Sequence, residues 1–187
     1  MKPQYHTIDQ LIAKIDEPNR SRCWALFHDN GQRFSIARGS SHNHQAWEGG
    51  YLDHLTEVMN LAVLLYPVLD AARALPFSLS DALLVLYLHD LEKPWKYEKR
   101  KDDTWKTDPL LEDKERQVRP FVEQKIEEYG FSLTLEQQSA LRYVEGEKKE
   151  YSSSQRMQSP LAAFAHLCDV WSARGWFDYP KIRGTWE

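Results

Sequence analysis

The stretch 86-LYLHDLEKPWKY-97 decides how this chain is read. The apolar run Ala82 to Leu88 leads into it, and Pro94 follows four residues after the adjacent pair His89-Asp90. Proline is poorly tolerated inside a helix, so the spacing predicts a helix over about 82–91, capped by Ser80 or Asp81, that stops just beyond the pair. Two polar groups that are costly to bury alone therefore fall at the end of a buried helix. A metal ion would satisfy both, provided the rest of the chain supplies further ligands.

Working outward, the polar segment 40-SSHNHQAWEGG-50 reads as a loop. A helix is predicted from about Tyr51 to Leu65, on which Val58, Leu61 and Leu65 recur at helical spacing and His54 shares their inward face. Downstream of the pair comes a charged loop, then amphipathic helices over 110–129 and 135–144, with Gly130 as the break and Pro120 bending or interrupting the first. Ser159-Pro160 opens a helix from Leu161 to about Trp171, followed by an aromatic tail. Near the N-terminus Thr7 caps a helix to about Asp16, and Pro18 starts a second over Asn19 to His28, ended by Asn30-Gly31. The same "DNG" also fits the turn of a small β-hairpin between Arg22–His28 and Gln32–Ala37. The expected architecture is an all-α bundle, with that hairpin as the alternative at its N-terminal end.

The length of 187 residues suits one domain with a substantial core, and 42% apolar with 28% charged residues is ordinary globular composition. A net charge of −4 gives no global attraction to nucleic acid. Cys23 and Cys168 form no CxxC, which speaks against a thiolate zinc site or a disulfide framework and for a reducing cytoplasm. The N-terminal residues are broken by Asp9, Lys14 and Asp16, unlike a signal peptide, and the apolar run Ala82 to Leu88 is too short to cross a bilayer, so no membrane segment is expected.

A lone inward histidine is more often a satisfied core residue than a ligand. Here, however, His54 and His89-Asp90 are joined by Asp169 in 161-LAAFAHLCDVWSAR-174, where Ala162, Ala165 and Ser172 share its face and leave room beside it. A salt bridge to Arg174 is the plain alternative for Asp169. Two imidazoles and two carboxylates suit a divalent transition ion, one of Mn, Fe, Co, Ni or Zn. The run 93-KPWKYEKRKDDTWK-106 mixes cations with Trp and Tyr, as phosphate- and base-binding segments do, and equally as a solvated loop does.

The order His54, His89-Asp90, Asp169, all on predicted helices, resembles the H…HD…D signature of the HD-domain superfamily of metal-dependent phosphohydrolases. "HDLEK" is similar to the family's HDIGK, with Lys93 on the matching lysine. The segment 33-RFSIARGSSHNHQAWEGGYLDHL-55 resembles F…PAA…HHAYxGGLLEHT of HD domains like those of YhaM-type 3′–5′ exoribonucleases. The resemblance spans about residues 18–174. Glu92 stands in place of the usual glycine, Gln45 in place of a second loop histidine, and 143-YVEGEKKEY-151 lacks the His-His pair of some relatives.

The resemblance implies a helical HD fold over the single domain 1–187, holding one tight metal ion through His54, His89, Asp90 and Asp169. Asp90 and Lys93 become the expected catalytic residues, with Lys93 also meeting the phosphoryl oxygens. His44, Gln45, Lys96 and Arg174 are expected at the substrate, and His166 in support behind the ligands. Glu145 and Glu147 are candidates for a second, weak ion. The expected activity is hydrolysis of a nucleotide, a deoxynucleoside mono- or triphosphate or a small phosphodiester, through metal-activated water. A 3′–5′ exonuclease on short single strands and a non-catalytic nucleotide-sensing module are the alternatives, and a homo-oligomer is compatible with either.

Overall fold

A computed structural model describes residues 3–147, 150–176 and 186. The chain is mostly helical. Its first helix, α1 (Ile8–Ile12), is closed by a capping box in which Thr7 and Gln10 satisfy each other's backbone N–H groups, and it buries Ile8, Leu11 and Ile12.

The second helix, α2 (Asn19–Ile36), runs through the segment where a stop or a hairpin was expected. Asn30 leaves helical geometry at φ −120° and ψ 15°, and the helix kinks there without turning back. A two-residue hairpin turn of the expected kind needs positive φ, which neither Asn30 nor Gly31 adopts. Cys23, Leu26 and Phe34, all fully buried on one helical face, outweigh the local turn preference. The Asn30 amide bridges the kink, donating to the Leu26 carbonyl at 3.0 Å and to the Tyr129 hydroxyl at 2.9 Å.

Helix α3 (Gly50–Ala72) continues past the expected end at Leu65 and through Pro67. By length and composition alone it would pass for a membrane-crossing helix. Its first half instead buries Asp53, His54, Glu57 and Asn60 inside the protein.

Helix α4 (Leu79–Leu88) is capped by Ser78 and not by Ser80 or Asp81; Asp81 is the third helical residue and completes the capping box. Every residue from Ala82 to Leu88 is buried, because α3, α7 (Leu135–Tyr143) and α8 (Pro160–Val170) pack around α4. His89 is the C-cap of this central helix. The chain then turns into the short α5 (Lys93–Lys96) and a hairpin of β1 (Tyr97–Lys99) and β2 (Trp105–Thr107), paired antiparallel with Glu98 opposite Lys106. The small hairpin thus exists, but in mid-chain, within the segment expected to be a charged loop.

A single helix over 110–129 does not form. A 3₁₀ turn (Pro109–Leu111) and a π-helical turn (Lys114–Val118) precede α6 (Arg119–Glu128), and Pro120 occupies the first turn of α6, where its missing N–H leaves no bond unmade. Helix α7 carries a Thr134–Gln137 capping box, and α8 is capped by Ser159 with Pro160 at its start. A second π-helical turn, Trp171–Gly175, extends α8. Most of the expected aromatic tail lies outside the described residues; Trp186 packs edge-on against Tyr5 with ring centroids 4.9 Å apart.

Candidate metal centre

Three elements bring the four expected ligands together. His54 comes from the first turns of α3, His89 and Asp90 from the end of α4, and Asp169 from the last turn of α8. One ligand atom from each lies within 4.8 Å of every other, and among the described residues this is the one cluster of its kind. The helix ends just at the pair, which lets neighbouring residues face one point although successive side chains on a helix diverge by about 100°.

Hydrogen bonds fix which ring nitrogens face the cluster. His54 Nδ1 lies 3.0 Å from Ser172 Oγ, and the Ser172 hydroxyl donates to Glu57 Oε2 at 2.7 Å. With its one proton committed to the carboxylate, Ser172 accepts from His54 Nδ1–H. His89 Nδ1–H donates to the Leu86 carbonyl at 2.6 Å. In their neutral forms both rings therefore turn an unprotonated Nε2 inward, and the two Nε2 atoms are 3.4 Å apart.

The carboxylates complete the set. Asp169 Oδ1 is 3.2 Å from His54 Nε2 and 3.7 Å from His89 Nε2; Asp90 Oδ2 is 3.5 and 3.2 Å from the same atoms. Donors bound about 2.1 Å from one ion at tetrahedral or octahedral angles stand roughly 3.0–3.4 Å apart, so the spacing fits a shared cation. Two lone pairs and two carboxylates converging in a buried place form a site that demands positive charge.

The electrostatics agree. Burial works against ionising Asp90 and Asp169, but Lys93 and the histidines around Asp90, and both histidines around Asp169, hold these acids below the usual carboxylate range. Burial disfavours a charged His89, yet Asp90 and Asp169 outweigh it and push its pKa up to about 10. Without a metal, a proton on His89 supplies part of the missing charge. Metal and proton then compete for the same nitrogen, so uptake at pH 7 should release about one proton per ion from His89. Affinity should rise as pH increases toward 10. Calorimetry of Mn²⁺ binding in buffers of different ionisation enthalpy measures this proton; zero release at pH 7 contradicts it.

The other expected site residues divide. Lys93 is buried and its ammonium pairs with Asp90 Oδ2, so it is an interior charge and not a solvated helix-end lysine. The His44 ring lies 5.3 Å from that of His54, and burial, with Lys93 and His54 nearby, pulls its pKa down to about 4. Gln45 is fully buried behind the ligands, where its amide donates to Glu57 and to the carbonyl and hydroxyl of Ser172. Lys96 Nζ lies 5.8 Å from the centroid of the Tyr97 ring. Arg174 is exposed. His166 Nδ1–H donates to the Val144 carbonyl at 2.6 Å, which ties it to the end of α7. Glu145 is ion-paired with Lys114, and Glu147 accepts from the backbone N–H groups of Met157 and Gln158. Glu92 is buried next to Asp90, and burial, with the Asp90 charge, raises its pKa.

Glu57 and Ser172, hydrogen-bonded behind His54, have no place in the motif. Each lies three residues after a ligand, Glu57 after His54 and Ser172 after Asp169, which places it on that ligand's side of its helix. The loop before α3 is held tightly over them. Ser40 Oγ accepts from the N–H groups of Asn43 and His44, and Gly39 N–H donates to the Gln45 carbonyl at 2.9 Å. A Cβ on Gly50 would stand 1.8 Å from that same carbonyl oxygen. Gly50→Ala should therefore displace the loop and destabilise the protein by about 1–3 kcal/mol, read from denaturant unfolding; an unchanged midpoint would show that the loop yields freely.

No family model, curated protein or solved structure matches this chain. What the fold and the cluster define is a helical protein with a buried His/His/Asp/Asp set compatible with an HD-like metal site.

Proposed function

We propose that this chain is a metal-dependent phosphohydrolase acting on nucleotides, with a divalent transition ion held by His54, His89, Asp90 and Asp169. The observation that carries the reading is the convergence of two inward-facing Nε2 atoms and two carboxylates within 4.8 Å. The donor set has no thiolate, which suits Mn, Fe, Co, Ni or Zn. When bound, such an ion supplies Lewis-acid polarisation of a phosphoryl oxygen and a water acidified toward neutrality.

The chain's own residues would do the rest. Asp90 and Asp169 stay ionised and keep the site anionic enough to retain a cation. Lys93, kept charged in the interior by Asp90, is positioned to offset negative charge that builds on the phosphoryl oxygens. His44, neutral at pH 7, can hydrogen-bond to water or to the substrate without adding charge.

The test is to load the protein with Mn²⁺ and incubate it with nucleoside monophosphates, nucleoside triphosphates, cyclic dinucleotides and short single-stranded oligonucleotides, resolving products by chromatography. Turnover is expected on a nucleotide, faster than on any oligonucleotide. Faster cleavage of the oligonucleotide would favour an exonuclease. Full metal occupancy with no turnover on any of them would overturn the hydrolase reading and leave a nucleotide-sensing module.

A further inference from the structure

The hairpin of β1 and β2 turns one face toward the loop that carries His44. In its antiparallel register Tyr97 pairs with Thr107 and Lys99 with Trp105, so these four share one face, while Glu98 and Lys106 point the opposite way and are exposed. Three of the four inner residues meet the chain between α2 and α3. The Arg38 guanidinium lies over the Trp105 ring, 4.5 Å from its centroid. Lys99 Nζ donates to Glu48 Oε2 at 2.7 Å, and the Ser41 side chain lies beside the Tyr97 hydroxyl. Arg38, Ser41 and Glu48 bracket His44 on both sides in sequence.

The loop is also fixed from within. Ser40 Oγ donates to the His44 carbonyl at 2.7 Å and accepts from the His44 N–H at 2.9 Å, so both backbone groups of His44 are held. Gln45 adopts φ 40°, a left-handed geometry that is unfavourable for a residue with a side chain and persists only where its surroundings enforce it. In that conformation the Gln45 amide reaches behind the ligands to Glu57 and Ser172, while the His44 ring stands 5.3 Å from that of His54. The hairpin's other attachment leads straight to the cluster. The four residues of α5 run from Lys93, paired with Asp90, to the start of β1 at Tyr97.

We infer that the inner face of this hairpin, through Tyr97, Lys99 and Trp105, positions His44 at the metal cluster and so serves the reaction without touching the substrate. The kinetic consequence rests on the phosphohydrolase reading; the geometric one does not. The Lys99 ion pair is partly exposed and shared with Asp103 at 2.9 Å, so the stacked Arg38–Trp105 pair is the stronger restraint.

The position of His44 is read from the nuclear Overhauser effect between its ring protons and those of His54, in the full chain with Zn²⁺. A cross-peak is expected in the wild type. Trp105→Ala combined with Lys99→Ala should at least halve it, whereas Trp105→Phe, which keeps an aromatic face under Arg38, should retain most of it. Glu98→Ala and Lys106→Ala, on the outer face, should leave it unchanged. If the double variant loses its helical circular dichroism, Trp105→Ala alone is read in its place. Absence of the cross-peak from the wild type, wild-type intensity in the double variant, or an equal loss from the outer-face variants overturns the inference. On a nucleotide turned over by the Mn²⁺-loaded protein, the double substitution should lower kcat by about tenfold while Mn²⁺ affinity stays within about twofold. In a His44→Ala background it should lower kcat by less than about twofold, and equal losses in both backgrounds overturn the inference. No turnover of any nucleotide by the wild type overturns the phosphohydrolase reading, and the cross-peak then decides the positioning of His44 by itself.

Discussion

Asp169→Ala protein should emerge from dialysis free of metal, with its affinity for Mn²⁺ lowered on the order of 100-fold or more. Asp169 Oδ1 is within 3.7 Å of both inward nitrogens, and it is the only ligand supplied by α8. Its loss removes a charge as well as a donor, leaving one carboxylate, already paired with Lys93, to balance a divalent ion. Asp169→Asn keeps the shape and one oxygen donor but not the charge, so it should bind Mn²⁺ more tightly than the alanine variant and more weakly than the wild type. Elemental analysis and titration calorimetry give the affinities, and circular dichroism checks that the helices persist. Full metal content in the alanine variant would exclude Asp169 as a ligand.

Ser172→Ala should lower metal affinity by about 10–100-fold although Ser172 would not touch the ion. It accepts the Nδ1 proton of His54 and donates to Glu57, and thereby fixes which nitrogen of His54 faces the cluster. Without the hydroxyl, the ring loses its anchor and the buried Glu57 carboxylate loses a donor, so stability should also fall by about 1–3 kcal/mol. A merely structural role would move the stability alone. The decisive readout is the ¹⁵N spectrum of His54, which should show one tautomer, protonated on Nδ1, in the wild type with metal and a mixture in the variant. An unchanged tautomer and unchanged Mn²⁺ affinity would mean that the serine does not position the ring.

The His/His/Asp/Asp cluster was legible in the sequence because its members broke an apolar pattern at places where burial could be read. Asp90 ends the run Ala82 to Leu88, and His54 shares a face with Val58, Leu61 and Leu65. The supporting residues were harder to read. Ser172 looked like a small residue leaving space, and only the tertiary approach of the turn after α8 to α3 turns that space into a hydrogen-bonded chain to Glu57. Gln45 fits a substrate contact as well as a buried brace until the loop is seen folded inward.

The misread fold elements have local causes. At Asn30-Gly31 a strong turn dipeptide competed with the buried face of Cys23, Leu26 and Phe34, and long-range packing decided the outcome. Between 110 and 119 the amphipathic pattern was real, but it is carried by 3₁₀ and π-helical turns whose periods differ little from that of an α-helix over so few residues. The hairpin at 97–107 was hidden among lysines, since its strands are three residues each and offer little alternation to read.

The account's central claim is that one divalent ion belongs between His54, His89, Asp90 and Asp169. Diffraction from crystals grown with Mn²⁺, with data collected at its absorption edge, tests this most directly. The account predicts a single full-occupancy anomalous peak about 2.0–2.2 Å from both Nε2 atoms and from an oxygen of each aspartate. An empty cluster at saturating Mn²⁺, or two full-occupancy peaks bridged by Asp90, would contradict it.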